Sequence, residues 1–113
     1  ALLGALNLGD IGSNFPDSSA EFKNIDSKIL LKRTIELVWQ KGYTIMNIDS
    51  TISAQKPRLK PFIPEMEATM AKVLGISPVK VSVKATTTEK LGFEGREEGI
   101  TARAVVLLKS KGA

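Results

Sequence analysis

The sequence predicts one small domain of the α+β class, in which a sheet carries its helices on one face. Segments with apolar residues at helical spacing are followed by segments in which apolar and polar residues alternate. The 113 residues, of which 42% are hydrophobic, suffice for one modest core and leave no room for a second domain. The predicted order is a helix end, a helix, a strand, a helix and two further strands.

The first half of the chain is expected to run from a helix end to a long strand. Residues 1–8 are typical of the last two turns of a helix that ends at Gly9, and because no capping residue precedes them, we expect further structure upstream. Asp26 or Ser27 would cap the next helix, and Gly42 would end it. Residues 44–55 then alternate, and the apolar residues expected on the buried face of this strand are Met46, Ile48, Ile52 and Ala54.

The second half of the chain is expected to hold one more helix and two strands. Pro64 suits the first turn of a helix that ends before Gly75. The buried faces of the two following strands would carry Val79, Val81, Val83 and Ala85, and Ile100, Ala102, Ala104, Val106 and Leu108. The polar strand faces carry Asn47, Asp49, Thr51, Ser53, Thr101 and Arg103, and they meet either solvent or another subunit.

Composition narrows the function classes. The 16 basic and 12 acidic residues give a net charge of +4, which weakly favours anionic small ligands over nucleic acid, since aromatic platforms for bases are few. No apolar run is long enough to span a membrane. The chain has no Cys and no His, which excludes disulfides and a histidine acid or base. We therefore expect a cytoplasmic protein, or a plastid protein in a plant or alga, with neither nucleic acid nor membrane as a partner.

Residues 84–96 carry the groups most suited to a polyphosphate ligand. The three consecutive hydroxyls of Thr86, Thr87 and Thr88 can donate hydrogen bonds to anionic oxygens. The carboxylate of Glu89 can hold a hard divalent cation, and two glycines allow backbone N–H groups to approach a ligand closely. A polar loop between two strands has a similar composition, so the local chemistry leaves both interpretations open.

Several short motifs follow one another in a fixed order along the chain. They are ALNLGDIG at residues 5–12, FPD at 15–17, DS at 26–27, AQKP at 54–57 with Pro61, KATTTEKLGF at 84–93 and GR at 95–96. In order and spacing they resemble the 2-C-methyl-D-erythritol 2,4-cyclodiphosphate synthases, over essentially the whole chain. The resemblance implies a phosphorus–oxygen lyase of non-mevalonate isoprenoid biosynthesis, which converts a CDP-linked methylerythritol 2-phosphate into a cyclic diphosphate and CMP. It also implies a ferredoxin-like or chorismate-mutase-like arrangement, assembled as a homotrimer with active sites between subunits and sheets around a central channel.

The resemblance gives each motif a role. Asp10, Ile11 and Gly12 would hold the methylerythritol hydroxyls, and the residues that close the site would be Phe15, Pro16, Asp17, Ser18 and Ser19. The cytosine would lie against backbone groups of an adjacent subunit, contributed by Ala54, Gln55, Lys56, Pro57, Arg58, Leu59 and Lys60. Thr86, Thr87 and Thr88 would contact the diphosphate across that subunit boundary, Thr87 stabilising the transition state, and Glu89 would bind magnesium or manganese. Phe93 and Arg96 would point to the trimer axis, where Arg96 could bind a diphosphate.

Each of these motifs also has a purely structural interpretation, and two other functions stay open. Residues 10–12 are typical of a helix end and turn, residues 54–60 of a strand-to-helix connection, and Arg96 of a solvated charge. The family's zinc ligands, an Asp-x-His pair and a further His, are not in this sequence, and the resemblance places them upstream with a first strand and a lid loop. Outside the family, the chain could be a non-catalytic oligomeric module that binds a nucleotide or anion, or a structural trimer-forming domain. Release of CMP would identify the enzyme, and CDP binding without it would identify the module.

Overall fold

The computed structural model describes residues 1–112. The helices are α1 (Leu2–Ala5), α2 (Ile11–Asn14), α3 (Ser27–Gln40), α4 (Ile63–Leu74) and α5 (Gly92–Gly95). The strands are β1 (Tyr43–Ser53), β2 (Val81–Thr86) and β3 (Thr101–Ser110), and two 3₁₀ turns lie at Lys60–Phe62 and Pro78–Lys80. Within residues 1–112, no helix is both long and apolar enough to cross a membrane.

The sheet has three strands in the order β2–β1–β3, so the longest strand is central. β1 and β2 are parallel, with a register that runs from Ile48 opposite Val81 to Ser53 opposite Thr86. Parallel neighbours need a crossover connection, which α4 supplies here. β3 lies antiparallel on the other side of β1 and pairs with it along its whole length. The α+β class predicted from the sequence is confirmed.

The hydrophobic core lies between the sheet and the helices α3 and α4. Its largest fully buried side chains are Ile35, Val38, Ile45 and Leu74. A second, smaller cluster packs α4 on β2 and consists of Ala71, Val81 and Val83. Since burial of a large apolar side chain stabilises a protein by about 1.5–3 kcal/mol, this layer holds β1 and β2 firmly side by side.

The two long helices begin and end where the sequence predicts. The carboxylate of Asp26 accepts a hydrogen bond from the backbone N–H of Lys28 (2.8 Å), and this bond lowers the pKa of Asp26 from its ordinary value. Gly42 follows α3 with φ +84°, and Gly75 ends α4 with φ +68°, a left-handed conformation that favours glycine. Pro64 lies in the first turn of α4. The predicted helix signals are confirmed at all four positions.

β1 contains an irregularity that its alternating pattern does not reveal. The pairing with β3 shifts between Ile45 and Asn47, which makes Met46 the extra residue of a β-bulge. Met46 is therefore 41% exposed, and Ile45, at 2%, takes the buried position instead. The prediction for Met46 is wrong, whereas Ile48 and Ala54 are buried as predicted.

The two later strands begin after the points that alternation predicts. Val79 is 91% exposed and lies in the turn before β2, because Pro78 has no N–H for a ladder and opens a 3₁₀ turn. Ile100 is 54% exposed, because pairing between β1 and β3 stops at Ser53 and Thr101. The other predicted core positions that are exposed are Ala85, Ala102 and Ala104. At the start of the chain, α1 is a single turn, shorter than predicted.

The sheet face away from the helices carries charged and apolar side chains together. Lys84 Nζ donates to Asp49 Oδ2 (2.9 Å) between β2 and β1. Val105 pairs with Asp49 and Leu107 with Asn47, so both apolar side chains share this face. They are 73% and 59% exposed. The face is therefore less polar than its β1 residues alone suggest.

Candidate active site

Two loops leave the sheet side by side at one edge. β1 and β2 are parallel, and they end together at the pair Ser53 and Thr86. The backbone N–H of Ala54 then donates to the carbonyl oxygen of Thr86 (3.1 Å), which extends the contact beyond the ladder. In open sheets, ligands commonly bind outside the carboxyl ends of parallel strands. We call residues 54–60 the base loop and residues 86–90 the threonine turn.

A cavity of about 470 Å³ lies between the base loop and the threonine turn. It is lined by residues 54–61 other than Lys56, together with Ala85, Thr86 and Thr87. Because Pro57 and Pro61 fix their own φ angles, the loop backbone between them is stiff. The volume lies within the range of small-molecule sites. Most of the residues that the sequence assigns to a nucleotide thus share one cavity, although Thr88 and Glu89 do not line it.

The three hydroxyls of the threonine turn have different partners. Thr86 Oγ1 donates to the carbonyl oxygen of Thr87 (3.4 Å), and Thr88 Oγ1 donates to that of Leu91. Thr87 Oγ1 instead accepts a hydrogen bond from the N–H of Glu89 (3.2 Å). A hydroxyl that accepts in this way keeps its own proton for another partner. Since Thr87 is exposed and lines the cavity, its hydroxyl is the best placed of the three to donate to a ligand.

The backbone of Glu89 and Lys90 adopts a conformation that is uncommon for residues other than glycine. Their φ angles are +53° and +69°. Gly95 of α5 packs directly on this backbone, since a Cβ at residue 95 would lie 2.2 Å from the carbonyl carbon of Lys90. The N–H of Lys90 donates to Oε1 of Gln55 in the base loop (3.1 Å). The exposed Glu89 side chain is therefore carried by a backbone that is held on more than one side.

The residues that the structure describes offer few ligands for a metal ion. They contain no group of three or more His, Cys, Asp or Glu that could surround one. Tetrahedral zinc does not fit this donor set, because zinc sites rely on His and Cys and the chain has neither. A lone carboxylate such as Glu89 does fit magnesium, which proteins often hold by one or two carboxylates together with substrate phosphates and water.

Residues 10–19 form a separate structure that is fixed against α3. Asp10 Oδ1 accepts hydrogen bonds from the N–H and the hydroxyl of Ser13, both at 2.7 Å, and so caps α2. The hydroxyl first, and the N–H second, lower the pKa of Asp10, so this carboxylate is ionised at neutral pH. Phe15 packs edge-on against Phe22 with 5.5 Å between ring centroids, and Arg33 of α3 lies 5.2 Å from the same ring of Phe22.

The structure does not bring residues 10–19 to the cavity of the base loop. None of them lines that cavity, and Ile11 lines another one, of about 260 Å³, beside α1, α3 and β3. The base loop and the threonine turn, in contrast, meet within one chain. The parallel neighbours β1 and β2 deliver both of them to the same edge. Their action across a subunit boundary stays a prediction, since it concerns the arrangement of several chains.

This chain matches a known protein family. The YgbB family model matches residues 1–109. This chain belongs to the YgbB family. The 2-C-methyl-D-erythritol 2,4-cyclodiphosphate synthase of Bacteroides thetaiotaomicron is 62% identical over 109 residues, which cover 96% of this chain and 69% of that protein. The enzyme of the same name from Parabacteroides distasonis is 54% identical over 113 residues, covering 100% of this chain and 70% of its own length.

Solved structures agree with the YgbB assignment. The bifunctional IspDF of Campylobacter jejuni has a TM-score of 0.93 at 45% identity, over 97% of this chain and 30% of that protein. The IspF of Plasmodium falciparum in its CDP complex has a TM-score of 0.86 at 34% identity, over 98% of this chain and 66% of that protein. The family and function inferred from the sequence motifs, a cyclodiphosphate synthase of the non-mevalonate pathway, are confirmed.

Two predicted site residues of this YgbB chain lie away from the cavity. Phe93, in α5, is 46% exposed, and Arg96 Nε donates to the carboxylate of Glu98. Neither residue lines the cavity of the base loop. Their position at a trimer axis stays a prediction, since it concerns the arrangement of several chains.

Three contributions around the cavity of this YgbB chain do not follow from its sequence. The side chain of Gln55 bonds Lys90, 35 residues away, and Gly95 packs on the same residue. Glu97 Oε1 lies 3.8 Å from Lys56 Nζ, an exposed ion pair that contributes little. In the sequence, Gly95 is visible as a glycine of GFEG at residues 92–95, but the sequence does not reveal that it packs on Lys90.

Proposed function

We propose that this chain carries the nucleotide half of the active site of an enzyme that converts 4-diphosphocytidyl-2-C-methyl-D-erythritol 2-phosphate into 2-C-methyl-D-erythritol 2,4-cyclodiphosphate and CMP. The observation that carries the proposal is the cavity between the base loop and the threonine turn, where the Thr87 hydroxyl keeps a proton to donate. The names of the relatives support the reaction, and the CDP complex of one of them supports the nucleotide.

The two walls of the cavity suit the two ends of CDP. The base loop presents stiff backbone groups between Pro57 and Pro61, which can hydrogen-bond the edge of a cytosine ring. The threonine turn presents the Thr87 hydroxyl. Arg58 and Lys60, which belong to the base loop, add positive charge to the cavity. The neutral base would lie along the base loop, and the diphosphate would lie against the threonine turn.

The proposed reaction needs alignment more than proton transfer. An oxygen of the substrate's 2-phosphate attacks the β-phosphorus and forms a new P–O bond. The bond from the β-phosphorus to the oxygen shared with the α-phosphate breaks, and its electron pair leaves with CMP. Because the nucleophile is already an anion, no histidine base is required. The chain holds the reacting groups in line, and the Thr87 hydroxyl donates to the charge that develops during the transfer.

A divalent cation fits this proposal at Glu89. Magnesium or manganese, held there by the carboxylate and by substrate phosphates, would offset the negative charge of the diphosphate. Zinc does not fit the residues that the structure describes, since no cluster of suitable ligands exists among them. No step that we assign to these residues depends on zinc.

We further propose that the enzyme is a homotrimer, in which residues 10–19 of one chain complete the cavity of a neighbour. Within one chain, residues 10–19 do not line the cavity of the base loop, so a single copy does not bring the two groups of residues together at that cavity. The exposed Val105 and Leu107, next to the Asp49–Lys84 pair, support a face that is covered by other copies. Phe93 and Arg96 would then lie at the trimer axis.

Replacing Glu89 by Gln is expected to make CDP binding less dependent on divalent ions. The amide keeps the shape of the side chain and loses the charge that attracts the cation. Titration calorimetry on the protein at its full natural length would compare CDP affinity with and without manganese. We expect manganese to improve the affinity of the unaltered protein about 10-fold or more, and that of the variant far less. Glu36→Gln, at an exposed position of α3, is the matched control.

Release of CMP from the CDP-linked substrate tests the proposed function itself. The proposal expects CMP and the cyclic diphosphate to appear in equal amounts. CDP binding without any CMP release would instead favour a non-catalytic nucleotide-binding module. A Glu89→Gln protein with unchanged metal dependence would contradict the role of Glu89 alone.

A further inference from the structure

One side chain of the base loop reaches across to the threonine turn. The N–H of Lys90 donates to Oε1 of Gln55 (3.1 Å), and Gln55 is half-buried. The other links between the two segments do not hold this part of the turn. The bond from the Ala54 N–H to Thr86 precedes it, and the Lys56 ion pair is exposed and reaches Glu97 beyond it.

The turn needs outside support because of its backbone conformation. Glu89 and Lys90 are consecutive non-glycine residues with positive φ, an arrangement that persists only where the surroundings impose it. Gly95 contacts the carbonyl carbon of Lys90, and Gln55 binds its N–H. The two contacts act on both peptide groups of Lys90 and so fix its orientation.

The backbone conformation at Lys90 affects the groups that are proposed to act on the diphosphate. The peptide that carries the Lys90 N–H also carries the carbonyl group of Glu89. The N–H of Glu89 in turn donates to Thr87 Oγ1 (3.2 Å). Without this support, the positive φ of Glu89 could relax, and a change of φ at Glu89 would move its side chain relative to its N–H and disturb the bond to the Thr87 hydroxyl.

We propose that Gln55 is a positioning residue, whose side-chain oxygen fixes the peptide between Glu89 and Lys90 and thereby aims Thr87 and Glu89 at the diphosphate. This inference rests on the proposed function. It gives a side-chain role to a residue for which the sequence predicts a backbone contact with the base. The base loop thus holds the nucleotide and also sets the geometry of the reacting end.

Three variants of the protein at its full natural length separate this role from general stability. Gln55→Met keeps the length of the side chain and removes the acceptor, whereas Gln55→Glu keeps an acceptor oxygen. Gln40→Met is the matched control, at the exposed end of α3 and at the opposite end of β1 from the cavity. The readouts are kcat and KM for CMP release, and hydrogen exchange of the Lys90 amide in the free protein.

We expect Gln55→Met to lower kcat about 10-fold or more with little change in KM. The Lys90 amide should exchange about fivefold faster, the effect of losing one neutral hydrogen bond. Gln55→Glu should have the kcat and the Lys90 exchange rate of the unaltered protein. Gln40→Met should change neither quantity.

Unchanged kcat and unchanged Lys90 exchange in Gln55→Met would overturn the inference. A rise in KM alone would also overturn it, because it would mean that the Gln55 side chain contacts the base. The exchange measurement needs no substrate, so it distinguishes the two proposals. An unaltered protein that releases no CMP would refute the proposed function, whereas slow Lys90 exchange in Gln55→Met would refute the positioning role.

Discussion

Replacing Thr87 by Ala is expected to lower turnover about 100-fold or more and to leave CDP affinity within about twofold. Thr86 and Thr88 use their protons on backbone carbonyl groups, whereas Thr87 accepts a bond and keeps its proton. A donor aimed at charge that develops in the transition state contributes to rate far more than to binding. Single-turnover CMP release would measure the rate, and calorimetric titration with CDP would measure the affinity.

Thr69→Ala, at an exposed position of α4, is the control for loss of a threonine hydroxyl at the surface. It should leave both the rate and the CDP affinity unchanged. A Thr87→Ala protein with the turnover of the unaltered enzyme would refute the assigned role. An equal loss of turnover and CDP affinity would also refute it, since the hydroxyl would then bind the ground state as strongly as the transition state.

Replacing Gly95 by Ala is expected to destabilise the protein by about 1–3 kcal/mol or more and to remove most of its activity. The added Cβ would lie 2.2 Å from the carbonyl carbon and 2.6 Å from the Cα of Lys90. Because both atoms belong to the backbone, no side-chain rotation can relieve the contact. The threonine turn must move instead, and Glu89 and Thr87 move with it. Denaturant unfolding and CMP release would measure the two effects.

Gly4→Ala provides the comparison for this variant. Gly4 lies in α1, where an added Cβ would meet nothing within 4 Å. Its stability and activity should stay close to those of the unaltered protein. Gly95→Ala with unchanged stability and unchanged CMP release would show that the turn does not depend on this close packing.

The helix ends could be predicted from the sequence because their causes are local. Asp26, Gly42, Pro64 and Gly75 each act on backbone groups within a few residues, so their effect does not depend on the rest of the fold. Met46 shows the limit of such patterns. The alternation continues through it, and the bulge that exposes it arises from pairing with β3, a strand far along the chain.

The candidate site could be predicted in composition but not in geometry. The hydroxyls and the carboxylate of the threonine turn are visible as residue types, since phosphate and metal binding require those groups. The difference between Thr87 and its neighbours depends on the hydrogen bonds of a folded turn. The contacts of Gln55 and Gly95 with Lys90 depend on which loops the parallel strands bring together. No periodicity or motif in the sequence encodes such contacts.

Mixed subunits would show whether one chain holds the nucleotide while residues 10–19 of its neighbour complete the site. Thr87→Ala and Asp10→Ala proteins, each expected to lose most activity, would be unfolded and refolded together in equal amounts. In randomly assembled trimers, about one quarter of the sites combine an unaltered Thr87 with an unaltered Asp10 from the next chain. If neighbouring chains share each site, the mixture should reach about one quarter of the unaltered turnover. A mixture as inactive as the two separate variants would contradict such sharing, because Asp10 and Thr87 would then have to act within the same chain.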